Sequence, residues 1–316
     1  MQIASSVLEA IGRTPLVALD RIREDRPGRI AAKIEFYSPG ASVKDRVALR
    51  AIETAERTSR LQPGGTVVEL TSGNMGTGLA VVCAVKGYRM IAVMSEGNSI
   101  ERRRMLTALG AEVELVPQAG GSRPGQVSKE DLELVERRTA ELVAELGAFR
   151  PDQFTNPDSV LAHELTTGAE IWEQTEGKVR HFAAMVGSGG TFLGVAKALK
   201  GFDPSVRTYA VEPATAPFIA GQEVTNTSHK IQGAGYALIP PLWDPSLCDG
   251  FLTASDEESV ATARLLATKE GLFGGVSSGA NVAAALRLAE QVPAGELIVT
   301  ILPDAGLKYL STDLYG

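Results

Sequence analysis

The sequence predicts an α/β protein with mainly parallel sheets, and three observations carry that prediction. Short apolar runs alternate with segments of helical periodicity along the 316 residues. Glycine-rich segments stand where a strand-like run hands over to a helix-like run. The hydrophobic content is 44%, enough for a core that needs no disulfide or metal staple. A chain of this length suggests about two domains.

Taken in order, residues 29–36 read as a buried strand and 43–59 as a helix, with Ser42 and Asp45 in a capping-box pattern. Residues 66–70 form a short strand, 71–76 a loop and 77–85 an apolar helix. Strands at 89–94 and 112–116 complete a smaller sheet, and Arg102-Arg103-Arg104 forms one face of a short helix. Residues 118–126 are rich in Gly and Pro and read as a mobile surface loop, followed by a long amphipathic helix over 128–146. A seam falls near Arg150-Pro151. The second half repeats the scheme, with strands at 182–186, 206–211 and 297–302. Glycine-rich segments 187–191 and 274–280 open helices at 192–200 and 281–288.

Lys44 is the residue with the most chemistry in it. In the first turn of a helix the positive end of the macrodipole opposes protonation, and burial would do the same, so the amine becomes a nucleophile toward an aldehyde. It is either a Schiff-base lysine or a solvated helix-start lysine. Thr71-Ser72-Gly73-Asn74-Met75-Gly76 can present several backbone N–H groups together, with hydroxyls and an amide beside them, a set suited to a carboxylate. An ordinary βα turn has the same composition. Gly187-Ser188-Gly189-Gly190-Thr191 has the layout of a phosphate cradle. It lacks the Gly-Lys-Ser/Thr of a nucleotide P-loop, and Phe192 stands where a dinucleotide fingerprint needs its third glycine. Ser277 is either a plain N-cap or a hydroxyl facing a ligand.

The chain resembles the cysteine synthase family, which includes the cystathionine β-synthases. The resemblance runs through Ile11-Gly12-Arg13-Thr14-Pro15-Leu16, Ser42-Val43-Lys44-Asp45-Arg46, residues 71–76, Ser99-Ile100-Glu101-Arg102-Arg103 and residues 187–191. It continues through Lys230-Ile231-Gln232-Gly233, Ser277-Ser278-Gly279-Ala280, Pro303-Asp304-Ala305-Gly306 and Tyr309-Leu310-Ser311-Thr312. It implies pyridoxal 5′-phosphate (PLP) fold type II, like the tryptophan synthase β chain, with two open, twisted, mainly parallel sheets flanked by helices. A smaller domain would span 40–150 and a larger one 151–316, with part of 1–39 packing onto the larger; no regulatory C-terminal module is expected.

The resemblance also implies PLP-dependent replacement of the β-substituent of a serine-derived amino acid, with cysteine synthase the leading activity, O-acetylserine and sulfide giving cysteine and acetate. Lys44 would be the Schiff-base lysine and the base for the α-proton. Gly187, Ser188, Gly189, Gly190 and Thr191 would hold the phosphate, Asn74 the ring hydroxyl, and Ser277 would face the pyridine nitrogen. Thr71, Ser72, Gly73 and Gln153 would receive the substrate carboxylate, while Met75, Gly233 and Tyr236 would line the pocket. Two of these depart from the family's usual pattern: Met75 stands for threonine, and Tyr236 is nearer the cystathionine β-synthase pattern. These departures leave open another nucleophile, homocysteine or an amine. A homodimer is implied, and a serine acetyltransferase is a possible partner.

Other readings have less support. A net charge of −7 argues against nucleic acid. No basic leader with an apolar core opens the chain and no run approaches membrane-spanning length, so a cytoplasmic protein is expected, without membrane partners. Cys83 and Cys248 have no ligand-spaced partner and read as reduced, non-catalytic thiols; His163, His181 and His229 form no metal spacing. A nicotinamide dehydrogenase would use Glu212, at the end of the strand after residue 206, for a ribose, but leaves Lys44, the Asn74 loop and Ser277 unexplained.

Overall fold

The computed structural model describes residues 3–120 and 127–316. Of the loop expected at 118–126, residues 121–126 lie outside the described residues. In chain order, β1 (Leu16–Ala18), α1 (Asp20–Arg23) and β2 (Arg29–Ile34) precede α2 (Lys44–Arg57), β3 (Thr66–Leu70), α3 (Asn74–Lys86), β4 (Arg89–Ser95), α4 (Ile100–Ala108), β5 (Glu112–Val116) and α5 (Lys129–Leu146). There follow α6 (Asp158–Ala162), α7 (Ala169–Gln174), β6 (Val179–Met185), α8 (Gly190–Phe202), β7 (Arg207–Pro213), β8 (Gly250–Ala254), α9 (Asp256–Leu265), α10 (Val276–Ala289) and β9 (Leu297–Leu302).

The chain divides into two compact units, one of residues 1–11 and 44–158, the other of residues 12–43 and 159–316. The first is built on a three-stranded sheet, β3-β4-β5, parallel throughout. Val68, Ile91, Val93 and Val116 of the sheet bury against Val135 and Leu142 of α5. α5 is held at its start by a capping box: Asp131 N donates to Ser128 Oγ at 3.1 Å, and Ser128 N to Asp131 Oδ2 at 2.8 Å. Gly147, in the left-handed region at φ 58°, ends it.

The second unit holds a six-stranded sheet in the order β1-β2-β9-β6-β7-β8. All neighbours are parallel except β1, which runs antiparallel to β2. Strands covered on both faces read as continuous apolar runs, which is why β2, β6 and β9 were legible. Lys33 interrupts the β2 run, yet it is 0% exposed. Its three ammonium protons meet the Thr14 carbonyl at 2.7 Å, Gln174 Oε1 at 2.8 Å and Glu170 Oε2 at 2.6 Å. A buried ammonium with all its donors engaged is tolerated where a bare one is not.

Three helices start earlier than their sequence suggested. α3 begins at Asn74 rather than 77, α8 at Gly190 rather than 192, and α10 at Val276 rather than 281. In α8 and α10, small residues that read as loop form the first turn where a neighbouring helix approaches too closely for side chains, whereas α3 opens on Asn74-Met75-Gly76 with Gly76 against Thr71. A Cβ on Gly190 would lie 2.6 Å from the Ser159 carbonyl oxygen, and one on Gly279 of α10 would overlap the Ser259 carbonyl oxygen on α9.

Candidate active site

In the first unit, Lys44 is the opening residue of α2. Burial lowers its pKa from 10.5 to about 8. α3 lies against this turn because Gly78 has no side chain. A Cβ there would stand 3.1 Å from the Lys44 carbonyl oxygen and 3.2 Å from Asp45 Cα. Gly78 is one turn beyond Asn74, so the lysine-bearing turn of α2 and the first turn of α3 are neighbours.

The loop before α3 has its hydroxyls committed in one sense. Gly76 N donates to Thr71 Oγ1 at 2.9 Å, and Arg102 Nη1, reaching over from α4, donates to Ser72 Oγ at 3.2 Å. A backbone N–H and a guanidinium can only donate, so each hydroxyl accepts from them and keeps its own proton for another acceptor. A Cβ on Gly73 would meet nothing within 4 Å, so open space adjoins this part of the loop. Two oriented O–H donors and the first turn of a helix beside open space suit a carboxylate. Asp152 N donates to the Glu69 carboxylate of β3, and Gln153 comes next in that turn.

In the second unit, β6 runs into Gly187-Ser188-Gly189, and Gly189 turns into α8 at φ 90°. The N–H groups of Gly190, Thr191 and Phe192 precede the first helical bond, Leu193 N to Gly189 O at 2.9 Å. Gly187 is pressed on the Gly233 carbonyl oxygen, which a Cβ would overlap, and so brings Gly233 to this loop. Thr191 Oγ1 is 3.2 Å from His163 Nε2, whose Nδ1 is 2.8 Å from Thr167 Oγ1. Ser277 is the second residue of α10, and the N-cap is Gly275. The capping alternative for Ser277 is thereby removed. Ser277 is 8% exposed.

A family model described as pyridoxal-phosphate dependent enzyme matches residues 7–304. The chain belongs to this family of PLP-dependent enzymes. The cysteine synthase of Staphylococcus aureus is 41% identical over 312 residues, covering 98% of this chain and 97% of that protein. Among solved structures, O-ureido-L-serine synthase is 39% identical with a TM-score of 0.90, over 99% of this chain and 96% of that one. O-acetylserine sulfhydrylase isoform 3 of Entamoeba histolytica is 36% identical with a TM-score of 0.91, over 99% and 92%. The fold is that of the type II PLP enzymes, two mainly parallel sheets flanked by helices.

The residues present fit PLP. Its aldehyde needs an amine that is partly neutral near pH 7, its phosphate needs clustered N–H groups without side chains over them, and its ring needs polar side chains. Lys44, the Gly187–Thr191 turn and Ser277 have these properties. The dinucleotide alternative finds no residue: Glu212 accepts from Ile219 N at 2.8 Å and Ala220 N at 2.9 Å and is engaged by its own loop. Burial pushes the Cys83 thiol up to about 12 and raises that of Cys248, which keeps both protonated at neutral pH. Among the described residues no His, Cys, Asp and Glu cluster could hold a metal, and no helix is long and apolar enough to cross a membrane.

The two residues that depart from the usual family pattern differ in environment. Met75, in the first turn of α3, is 2% exposed, whereas Tyr236 is 47% exposed. Four residues with a bearing on the site had no role in the sequence reading. Arg102 appeared as one face of a short helix and as a member of a stretch carrying the family resemblance, with no role of its own, His163 as structural, and Glu69 and Gly78 as members of apolar runs. Pairings over 28 to 83 positions leave no periodic trace in a sequence. Gly78 had a signal, a glycine inside a helix, which costs stability unless a close approach needs it.

Proposed function

We propose that this PLP-dependent enzyme is a cysteine synthase, replacing the acetate of O-acetylserine by sulfide. The observation that carries the reading is the packing of the Lys44 turn, with its lowered pKa, on the helix whose leading loop holds two hydroxyls that accept from fixed donors and keep their own protons to give. The names and near full-length similarity of the cysteine synthase and O-acetylserine sulfhydrylase relatives support it.

When bound, PLP withdraws electrons from the substrate Cα, which makes the α-proton removable and the β-substituent expellable. Lys44 would hold the cofactor through its amine in the resting enzyme. When its amine is free, Lys44 would take the α-proton and later return one. Thr71 and Ser72 donate to the substrate carboxylate, with the Gly73 backbone and the Gln153 amide completing its recognition. Asn74 would meet the ring hydroxyl. Gly187, Ser188, Gly189, Gly190 and Thr191 would receive the phosphate, and Ser277 would meet the ring nitrogen. A neutral hydroxyl there would leave the ring less electron-withdrawing than an acidic partner, chemistry that suits β-elimination. Gly233 lines the pocket, and Met75 and Tyr236 tune its choice of substrates.

A second reading keeps the chemistry and changes the nucleophile to homocysteine or an amine. Tyr236 in place of a small residue favours it, as does the likeness to O-ureido-L-serine synthase. The deciding experiment crosses O-acetylserine, O-phosphoserine and serine with sulfide, homocysteine and an amine nucleophile in the holoenzyme. The highest kcat/KM with O-acetylserine and sulfide supports the first reading; any other leading pair rejects it. The reading extends to a cytoplasmic homodimer, with serine acetyltransferase as a candidate partner. Light scattering of the purified protein tests the dimer, and co-sedimentation tests the partner.

A further inference from the structure

Glu69 is the last residue but one of β3 and is 3% exposed, a carboxylate in the core of its unit. Its two oxygens are divided between two segments. Oε1 accepts from Leu70 N at 3.0 Å, the residue that leads into Thr71 and Ser72. Oε2 accepts from Asp152 N at 2.7 Å, the residue before Gln153. Asp152 has φ 44°, a conformation that side chains other than glycine adopt at a cost and that needs support from its surroundings. Arg150 stands with Nε 3.6 Å from Oε1, its outer nitrogens engaged by Glu136 at 2.6 and 2.7 Å. One carboxylate thus ties together the two segments assigned to the substrate carboxylate, although they lie 80 residues apart in sequence.

We propose that Glu69 is a positioning residue, which sets the spacing between the Thr71-Ser72 loop and the Asp152-Gln153 turn and so governs affinity for the amino acid donor. This inference rests on the proposed β-replacement reading. The ionised carboxylate accepts most strongly from both N–H groups, and a proton on either oxygen weakens that oxygen as an acceptor. Burial raises the Glu69 pKa to about 7, opposed by the Arg150 charge and by the two accepted N–H groups of Asp152 and Leu70, while the Asp152 carboxylate adds to the rise. The clamp is therefore complete above pH 7 and loosens as pH falls through it. Glu69→Gln imitates the loosened state at every pH, since its amide nitrogen faces a backbone N–H donor to donor.

The test compares holoenzyme with and without Glu69→Gln. The dissociation constant of L-serine is read from the cofactor absorbance between pH 6 and 8, beside KM and kcat for O-acetylserine with sulfide. Taking the ratio of variant to wild type removes the titration of the ligand's own amine. The ratio of dissociation constants should be roughly tenfold at pH 8, the worth of one hydrogen bond to a charged group, and approach unity at pH 6. KM should follow it, with kcat and PLP content within about twofold. A ratio independent of pH, or a loss of kcat or cofactor without a change in affinity, overturns the inference. If wild-type enzyme binds L-serine with this pH-dependent ratio but does not turn over O-acetylserine, the functional reading fails and the role of Glu69 stands. If it binds no amino acid, both fail. Melting temperatures of the two proteins at pH 8 identify a variant that has merely unfolded, and Glu69→Ala, which removes both acceptors, should then show the larger affinity loss in whatever folded fraction retains PLP; equal or better affinity in Glu69→Ala rejects the clamp.

Discussion

The lowered pKa of Lys44 can be tested on the apoenzyme by changing pH alone. An ordinary lysine with a pKa near 10.4 has about 0.1% of its amine neutral at pH 7.5; with the pKa at about 8, roughly a quarter is neutral, a gain on the order of 200-fold in nucleophile. Apoenzyme mixed briefly with limiting PLP, reduced with borohydride and digested should carry the label on Lys44. The labelling rate should rise to a midpoint near pH 8 and level off. Lys129, whose side chain is 85% exposed, provides the exposed reference in the same digest. The sign of the stability effect follows from the same shift. A folded-state pKa below the unfolded one penalises the fold below about pH 8, by up to about 3 kcal/mol, and the penalty fades as pH rises toward 10.5. Apo Lys44→Met should therefore melt higher than apo wild type at pH 7, and the gap should shrink by pH 10. Labelling curves for Lys44 and Lys129 that coincide would refute the reasoning, whatever the variant does.

Three further outcomes follow from the geometry. Gly187→Ala forces a methyl group onto the Gly233 carbonyl oxygen, so PLP should be lost on dialysis at least tenfold faster than from wild type; undiminished retention removes this turn from the phosphate site. Arg102→Leu leaves Ser72 without its fixed donor and should raise KM for the amino acid donor about tenfold, while Arg102→Gln, which can still donate, should recover part of that loss, and equal KM values in all three proteins reject the hydroxyl-orienting role. Met75→Thr and Tyr236→Ala should shift the kcat/KM ratios between O-acetylserine and serine, and between sulfide and homocysteine, by about tenfold with PLP content unchanged. Ratios that stay fixed make both residues bystanders.

The sequence by itself determined the α/β class, because parallel strands buried on both faces leave continuous apolar runs, as at β2, β6 and β9, and because helical periodicity survives in α2 and α5. It also marked Lys44, Asn74, the turn at 187–191 and Ser277, since glycine, serine and lysine at a strand-to-helix junction have few other uses in such combination. It put the helix starts too late at 74, 190 and 276, because small residues in a first turn carry weak local preference, and a close neighbour, invisible in the sequence, decides whether they coil. Only the tertiary structure decided which side chains act together. That α2 and α3 meet at Gly78, that Arg102 orients the Ser72 hydroxyl, that Thr191 leans on His163, and that Glu69 joins residues 70 and 152 are all long-range pairings. Hydrogen bonds of this kind depend on where the backbone returns in space, and residue type constrains that return only through the whole fold. The same holds for the acidity of Glu69, an ordinary letter in the sequence, whereas for Lys44 the sequence indicated the direction of the shift and folding, by removing water, supplied it.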